Sequence, residues 1–280
     1  MKVAVTGASG FIGRHVIAAL GDRSVSVTGV LRPGKAVPEW LTGHDVVHVD
    51  IASPPPNPFI TLGRPDVVIH LAWGGLPNYR AQHHVDGELP LHYKFLRGLI
   101  EDGLTALLVS GTCFEYGMQS GALAEDLEPH PANPYGVAKD ALRRQLEALA
   151  DERPFALTWA RLFYLFGEGQ ATGSLRAQLE RAVRAGSTSF DMSGGEQIRD
   201  YLPVRQAAEY LVTLALSSIS HGIVNVCSGH PVSVRALVAR WVEENGWTIA
   251  PNLGKYAYPD YEPMSFWGDA RKLQQCVGAA

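Results

Sequence analysis

The amino-terminal segment restricts the fold of this chain more than any other part of it. A short apolar run, Lys2–Thr6, leads directly into the evenly spaced glycines Gly7, Gly10 and Gly13, with a helical pattern over Gly10–Leu20. A strand, a glycine turn and a helix in this order let the backbone approach a phosphate closely, and the helix N-terminus directs free N–H groups at it. The segment therefore predicts a dinucleotide-binding unit at the start of an α/β fold.

Short apolar runs and helical patterns alternate over the rest of the first half. We predict strands at Val25–Leu31, Asp45–Val49, Asp66–Leu71, Thr105–Ser110 and Phe155–Phe163, and helices at Tyr79–Asp102 and Pro134–Ala150. Val67–Ile69 is apolar throughout, as strands buried on both faces require. The alternation predicts a doubly wound parallel sheet of Rossmann type with helices on both faces.

The pattern becomes less regular after Gly167. The predicted elements there are helices at Ser174–Ala185, Val204–Ser217 and Ser233–Asn245 and a strand at Ile223–Val226. We interpret residues 1–165 as the dinucleotide-binding Rossmann domain. Residues 166–280 would form a smaller α/β substrate-binding lobe, whose segments can interleave with the first domain.

Composition fits a globular enzyme and argues against several other classes of protein. The chain has 280 residues, 46% of them hydrophobic and 19% charged, which allows one large domain or two unequal ones. Its net charge of −4 gives no overall electrostatic footprint for nucleic acid, and no apolar run reaches the roughly 18 residues of a membrane span. The three cysteines are far apart, match no zinc spacing and fit a reducing compartment. We expect a cytoplasmic protein with no metal site and no nucleic-acid or membrane partner.

The residue after the second predicted strand indicates which dinucleotide would bind. NAD-binding folds usually place Asp or Glu there, where it holds the ribose 2′-hydroxyl. This chain has Arg32 instead, and a guanidinium suits a 2′-phosphate. We therefore expect NADP(H) rather than NAD(H), with Arg14 as a helper. The alternative is that Arg32 is a solvated loop residue.

A tyrosine and a lysine form the candidate catalytic pair. Tyr135 and Lys139 are four residues apart at the start of a predicted helix, so they share a face. An ammonium beside a phenol stabilises the phenolate and lowers the pKa of the tyrosine. Such a tyrosine can protonate the oxygen that forms when hydride reaches a carbonyl. The preceding strand ends at Thr112, whose hydroxyl would lie in the crevice where ligands bind.

With these features the chain resembles the extended short-chain dehydrogenase/reductase family, of the NAD-dependent epimerase/dehydratase type, over nearly its whole length. The matching segments are the glycine motif Gly7-x-x-Gly10-Phe11-Ile12-Gly13, the adenine-contacting pair Asp50-Ile51, the nicotinamide-side segment His70-Leu71-Ala72 and the pair Tyr135 and Lys139. The resemblance implies that Thr112 binds the substrate carbonyl and that Tyr135 is the general acid/base. Lys139 would hold the ribose and tune Tyr135. The resemblance also implies a homodimer, formed through the helix that carries Tyr135 and the helix predicted at Tyr79–Asp102.

Later segments resemble enzymes that act on nucleotide sugars. Arg199, in Gly194–Tyr201, matches the arginine that grips the diphosphate; an ion pair with Asp200 or Glu196 is the alternative. The candidate substrate contacts are Trp73, Thr112, Glu115, Arg161, Tyr164 and Arg199. Trp73 is as well explained by packing as by walling the substrate pocket, and Glu115 could equally face solvent.

Departures from the family pattern narrow the activity. Cys113-Phe114 stands where nucleotide-sugar dehydratases carry Asp-Glu, so dehydration is not expected. A second diphosphate-binding arginine has no counterpart around Ala257–Met264. The resemblance favours NADPH-dependent reduction of the C4 keto group of a dTDP-, GDP- or CDP-linked 4-keto-6-deoxyhexose. The alternatives are a nucleotide-sugar 4-epimerase with bound NAD, a reductase of a non-nucleotide carbonyl, and a non-catalytic NADP-binding regulator.

Overall fold

A seven-stranded parallel sheet forms the centre of the computed structural model, which describes residues 1–278. The strands are β1 (Lys2–Thr6), β2 (Ser26–Leu31), β3 (Asp45–His48), β4 (Val67–His70), β5 (Ala106–Thr112), β6 (Gly121–Leu123), β7 (Ala156–Leu162), β8 (Tyr164–Phe166), β9 (Ser189–Asp191), β10 (Ile198–Pro203), β11 (Gly222–Val226), β12 (Pro231–Ser233), β13 (Ala250–Asn252) and β14 (Phe266–Gly268). The large sheet has the order β11-β7-β5-β4-β1-β2-β3, with every neighbouring pair parallel. The predicted doubly wound parallel sheet is confirmed.

Helices cover both faces of this sheet. They are α1 (Phe11–Gly21), α2 (Pro58–Thr61), α3 (Leu89–Glu101), α4 (Pro134–Glu152), α5 (Leu175–Arg184), α6 (Val204–Leu216), α7 (Val234–Glu244) and α8 (Arg271–Gly278). One core contains α1 and α6, and the other contains α3 and α4. Val67 and Ile69 of β4 belong to the first core and Val68 to the second, because successive side chains of a strand point to opposite faces. Within residues 1–278, none of the helices has the length and apolar character needed to cross a membrane.

The chain after residue 165 contributes to both parts of the molecule. Strand β11 pairs with β7 at the edge of the large sheet, and α6 packs on the same face as α1. The smaller sheets are β12-β10-β8, β13-β9 and β14-β6. A third core joins α5 to α7, with Leu179, Leu237 and Trp241 fully buried in it. The division between residues 1–165 and 166–280 stays a prediction, since α6 and β11 lie with the first of these parts.

The helix predicted over Tyr79–Asp102 is shorter in the structure. Helix α3 has Pro90 in its first turn, and a single wide turn at His84–Glu88 precedes it. Proline is tolerated in a first turn because the N–H that it lacks would have no partner within the helix. Residues 71–83 form mostly irregular backbone instead, and this segment borders the candidate site described below.

Candidate active site

The turn between β1 and α1 requires glycine at two positions. Gly7 has a φ of +70°, and a Cβ atom added to it would lie 2.9 Å from the backbone nitrogen of Ala72. A Cβ atom on Gly13 would lie 2.2 Å from the carbonyl oxygen of Gly7. The N–H of Gly10 donates to that same oxygen at 2.9 Å and closes the turn. This close packing leaves a cradle that fits a phosphate group, which the free N–H groups at the start of α1 would bind.

A cleft of about 260 Å³ opens beside this turn, at the carboxyl ends of the strands around β1. Open parallel sheets bind nucleotides in such a crevice, where neighbouring connections run in opposite directions along the sheet. The predicted cofactor residues that line the cleft are Gly7, Arg32, Asp50, Ile51 and Ala72. Leu71 borders this region through its backbone N–H, which donates to Thr6 Oγ1 at 3.2 Å.

The two candidate 2′-phosphate arginines lie in different places. Arg32 follows β2 directly, is exposed and lines the cleft. The Arg14 guanidinium forms an ion pair with Glu168 at 2.8 Å and lies 4.7 Å from the centre of the Trp40 ring. The structure thus brings Arg32 to the cleft and holds Arg14 against Glu168 and Trp40.

A larger cavity of about 610 Å³ lies between the large sheet and the smaller sheets. Its walls come from the end of β5 and the start of α4 on one side, and from β8, β10 and residues 256–262 on the other. The predicted site residues in these walls are Phe11, Ile12, Thr112, Tyr135, Tyr164 and Arg199.

Tyr135 and Lys139 lie together near the start of α4. The side chain of Asn133 caps this helix by accepting from the backbone N–H of Gly136 at 2.9 Å. The Lys139 ammonium donates to the backbone oxygen of Ser110 at 2.8 Å and lies 5.9 Å from the centre of the Tyr135 ring. The four-residue spacing therefore places both side chains on one face of the helix.

Thr112 lies beside the phenol of Tyr135. Its Oγ1 accepts from the backbone N–H of Phe114 at 3.3 Å, and both Thr112 and Tyr135 line the larger cavity. Burial raises the pKa of Tyr135, and the nearby Thr112 side chain acts in the opposite direction. The phenol is therefore protonated in the free protein and can donate to an oxygen placed between these two residues.

The ammonium of Lys139 is buried next to an aromatic ring. Burial lowers the pKa of Lys139 to about 7, against the opposing influence of the Glu115 and Glu88 carboxylates. Its Nζ lies 4.0 Å from the centre of the Trp73 ring, a cation–π distance that favours the charged form. Lys139 therefore changes its charge near neutral pH in the free protein.

Trp73 lines the smaller cleft and is not among the residues that line the larger cavity, so its contact with substrate stays a prediction. Its Nε1–H donates to His84 Nδ1 at 3.1 Å, and its ring stacks on His92 with the centres 4.6 Å apart. His92 in turn bonds to Glu88 at 3.1 Å. These anchors hold the indole on the cleft side of Lys139.

Glu115 and Arg161 form a buried pair, which corrects the expectation that both contact substrate. Arg161 Nε lies 2.7 Å from Glu115 Oε2, and both side chains are 0% exposed. The Glu115 carboxylate also accepts from the backbone N–H of Thr112 at 2.8 Å and from Trp159 Nε1 at 3.0 Å. Glu115 therefore supports the backbone of Thr112 from behind and neither faces solvent nor reaches the cavity.

Arg199 and Tyr164 meet at Glu262 in the wall of the larger cavity. The Arg199 guanidinium lies 2.8 Å from one Glu262 oxygen, and the Tyr164 hydroxyl donates to the other. The alternative ion pair with Asp200 or Glu196 does not form within residues 1–278. Asp200 accepts from the backbone N–H groups of Ser228 and Gly229 at 2.7 and 2.8 Å, and Glu196 accepts from the Tyr258 hydroxyl at 2.8 Å.

Glu262 is the main residue of the cavity that sequence reasoning missed. Residues 257–264 contain no second arginine and supply a carboxylate instead. Tyr261 and Tyr79, which also line the cavity with their ring centres 6.3 Å apart, were likewise missed. The one available signal was the cluster of tyrosines in residues 256–261 of an otherwise irregular segment.

The chain is similar in sequence to enzymes that act on nucleotide-linked 6-deoxy sugars. The chain is 29% identical over 270 residues to the dTDP-6-deoxy-L-talose 4-dehydrogenase (NAD(+)) of Aggregatibacter actinomycetemcomitans, covering 96% of this chain and 99% of that one. It is 27% identical to the GDP-6-deoxy-D-mannose reductase of Pseudomonas aeruginosa over 85% of this chain and 78% of that one.

A solved structure of MoeE5 in complex with UDP-glucuronic acid and NAD is also similar. It superposes with a TM-score of 0.83 at 28% identity, covering 99% of this chain and 93% of that one. The model of the NAD dependent epimerase/dehydratase family matches residues 3–227. This match, together with the glycine turn and the sheet order, shows that the chain belongs to the NAD-dependent epimerase/dehydratase family, the extended short-chain dehydrogenases/reductases.

Proposed function

We propose that this chain transfers hydride between a nicotinamide dinucleotide and C4 of a nucleotide-linked 6-deoxyhexose, acting as a reductase of the 4-keto sugar. The observation that carries this proposal is the position of Thr112 and Tyr135 in the wall of the larger cavity. Lys139 lies next to Tyr135 and also against Trp73 of the smaller cleft. A substrate carbonyl in the cavity and a dinucleotide in the cleft would therefore meet at these three residues.

The relatives support the same reaction in its two directions. The relative that spans 96% of this chain is a 4-dehydrogenase of a dTDP-linked 6-deoxy sugar. The other is a reductase of a GDP-linked 6-deoxy sugar. Oxidation and reduction at one carbon are the two directions of a single equilibrium, so both names are compatible with hydride transfer at C4.

The residues of the chain supply binding and proton transfer. The nicotinamide, when bound, supplies or accepts the hydride. In the direction of reduction, Tyr135 donates its hydroxyl proton to the C4 oxygen, which Thr112 orients by a hydrogen bond. The Lys139 ammonium stabilises the phenolate that remains. The buried Glu115 holds the backbone of Thr112 in place through the 2.8 Å bond.

The charge of Lys139 predicts how activity depends on pH. Its pKa of about 7 in the free protein means that the ammonium is lost as pH rises through neutrality. We expect kcat/KM, which reports ionisations of the free enzyme, to fall above that pH. A Lys139→Arg variant should be less active but lack this alkaline decline, because its guanidinium stays charged. A decline that persists unchanged in Lys139→Arg would assign the ionisation to another group.

We further propose that the cofactor is NADP(H), on the basis of Arg32 in the smaller cleft. An Arg32→Ala variant should lower the ratio of kcat/KM for NADPH to that for NADH by about tenfold to a hundredfold, because it removes a charge-assisted contact to the 2′-phosphate. The matched control is Arg23→Ala, an exposed arginine that pairs with Glu209. A wild-type preference for NADH, or an unchanged ratio in Arg32→Ala, would refute this assignment.

The test of the overall function is oxidation of NADPH and NADH, followed by absorbance, with dTDP-, GDP- and CDP-4-keto-6-deoxyhexoses. Consumption of the reduced cofactor with one of these sugars is the expected result. Interconversion of 4-epimers without net consumption would favour a 4-epimerase. Turnover of a ketone without a nucleotide, or cofactor binding without turnover of any carbonyl, would favour a general reductase or a regulator respectively.

We also propose a homodimer formed through α3 and α4, as the family resemblance implies. Val137 on α4 is 40% exposed and gives this surface an apolar side chain. Sedimentation equilibrium should then give twice the chain mass, and a mass of 30.3 kDa at all concentrations would contradict the dimer.

A further inference from the structure

Inside the larger cavity, the Arg199 guanidinium forms an ion pair with a carboxylate of its own chain. Its Nη2 lies 2.8 Å from Glu262 Oε1, and the two side chains are 3% and 9% exposed. Its Nη1 donates to the backbone oxygens of Ile198 and Met264 at 2.8 and 3.2 Å. The guanidinium is thus held in place by the backbone while its charge is balanced by Glu262.

The other cation of the cavity is paired as well. In the part of the chain that the structure describes, residues 1–278, the arginines and lysines that line the cavity are Arg176 and Arg199. Arg176 Nε lies 3.0 Å from Glu180 Oε1. A buried charge without a partner costs several kcal/mol, which explains why the deeply buried Arg199 has a carboxylate of the chain beside it.

We propose that Glu262 occupies, on Arg199, the position of a substrate phosphate and so limits how tightly a diphosphate binds. This inference rests on the proposed function, since it assumes a nucleotide-linked substrate. Binding is then an exchange of anions, in which a diphosphate offers the guanidinium charged oxygens in place of the carboxylate. A free sugar offers no such oxygens, so it leaves Arg199 paired to Glu262 and gains no binding energy from the guanidinium.

The segment that carries Glu262 is placed so that the carboxylate can move aside. It lies between β13 and β14, in residues 253–265, and most of this segment is irregular. Its outer contacts include an ion pair between Asp260 and Arg80, whose side chains are 79% and 60% exposed. Exposed ion pairs contribute little to stability. Release of Glu262 towards solvent therefore breaks mainly its own bonds to Arg199 and Tyr164, and diphosphate oxygens would replace the first of these.

The experiment compares Glu262→Gln with the wild-type chain in calorimetric titrations of inorganic pyrophosphate, dTDP and GDP. Glutamine keeps the size of the side chain and removes the competing charge, so we expect pyrophosphate and the preferred nucleotide to bind about tenfold more tightly or better. With the sugar substrate, KM should fall by a similar factor while kcat does not rise. When Arg199→Met is added to Glu262→Gln, the tighter binding of pyrophosphate should be lost.

Asp260→Asn is the matched control, because it removes the same charge from the same segment without touching Arg199. Equal tightening in Asp260→Asn, or unchanged or weaker binding in Glu262→Gln, would overturn the inference. Tighter pyrophosphate binding without turnover of any nucleotide sugar would support the anion exchange and refute the proposed function. Turnover of a nucleotide sugar, without tighter pyrophosphate binding in Glu262→Gln, would refute the anion exchange and support the proposed function.

Discussion

Tyr135→Phe is expected to lower kcat by about 10³-fold, within the range that a positioned general acid contributes. The hydroxyl is the group that donates to the C4 oxygen in the proposed reaction, and Phe removes it while keeping the ring. The ring packs against its aromatic neighbours Tyr79 and Phe114, so the fold and the cofactor cleft should be unaffected. Stopped-flow or steady-state absorbance at the reduced-nicotinamide band measures kcat, and fluorescence titration of NADPH measures binding.

The control for this substitution is Tyr210→Phe. Tyr210 lies on α6, where its hydroxyl accepts from Gln206 Nε2 at 2.6 Å, away from both cavities. Its removal should leave kcat unchanged. A Tyr135→Phe variant that binds NADPH and retains the turnover of the wild type would show that Tyr135 is not the proton donor.

Glu115→Ala is expected to lower the free energy of unfolding by about 3–5 kcal/mol, because it leaves the Arg161 charge buried without its partner. Within residues 1–278, Arg161 bonds to Glu115 through Nε, and its Nη1 and Nη2 have no hydrogen-bond partner. The guanidinium lies 4.4 Å from the centre of the Tyr116 ring. The backbone N–H of Thr112 and Trp159 Nε1 would lose their acceptor as well. Urea unfolding followed by tryptophan fluorescence measures the change.

A double variant separates the lost pair from a general loss of packing. Glu115→Leu combined with Arg161→Met removes both charges and should recover most of the stability, since apolar replacements of buried pairs are often neutral or better. Glu101→Ala removes one member of an exposed pair with Arg97 and should leave the unfolding midpoint unchanged. Equal destabilisation by Glu115→Ala and by the double variant would contradict this account.

The parts of the fold and of the site that could be predicted from the sequence are those that depend on local motifs. The glycine turn requires only residues 7–13, and the pairing of Tyr135 with Lys139 requires only one turn of a helix. Both features depend on neighbours in sequence, so short spacings are sufficient to predict them. Helix α3 begins at Leu89 and not at Tyr79 as predicted. The helical pattern of the sequence extends over residues 79–102, although the backbone before His84 is mostly irregular.

Contacts between distant segments explain why the buried pair of Glu115 with Arg161 and the contact of Arg199 with Glu262 were not predicted. Arg161 lies opposite Gly111 in the register of β5 and β7, and a Cβ atom on Gly111 would lie 2.2 Å from Trp159 Nε1 and 2.7 Å from Glu115 Oε1. The space for the buried pair therefore depends on a strand pairing that no local spacing encodes. The contact of Arg199 with Glu262 likewise joins a strand to an irregular segment far along the chain.

Helix α6 and strand β11 come late in the sequence but complete the large sheet. They therefore limit when the chain can finish folding during synthesis. Leu211 and Val212 of α6 are fully buried against the face of the sheet that α1 covers only in part. That face stays open to water until α6 has left the ribosome, and the edge beyond β7 stays unpaired until β11 follows. Since exposed apolar faces and open strand edges favour aggregation, we expect the nascent chain to be most prone to aggregation before about residue 226 has emerged.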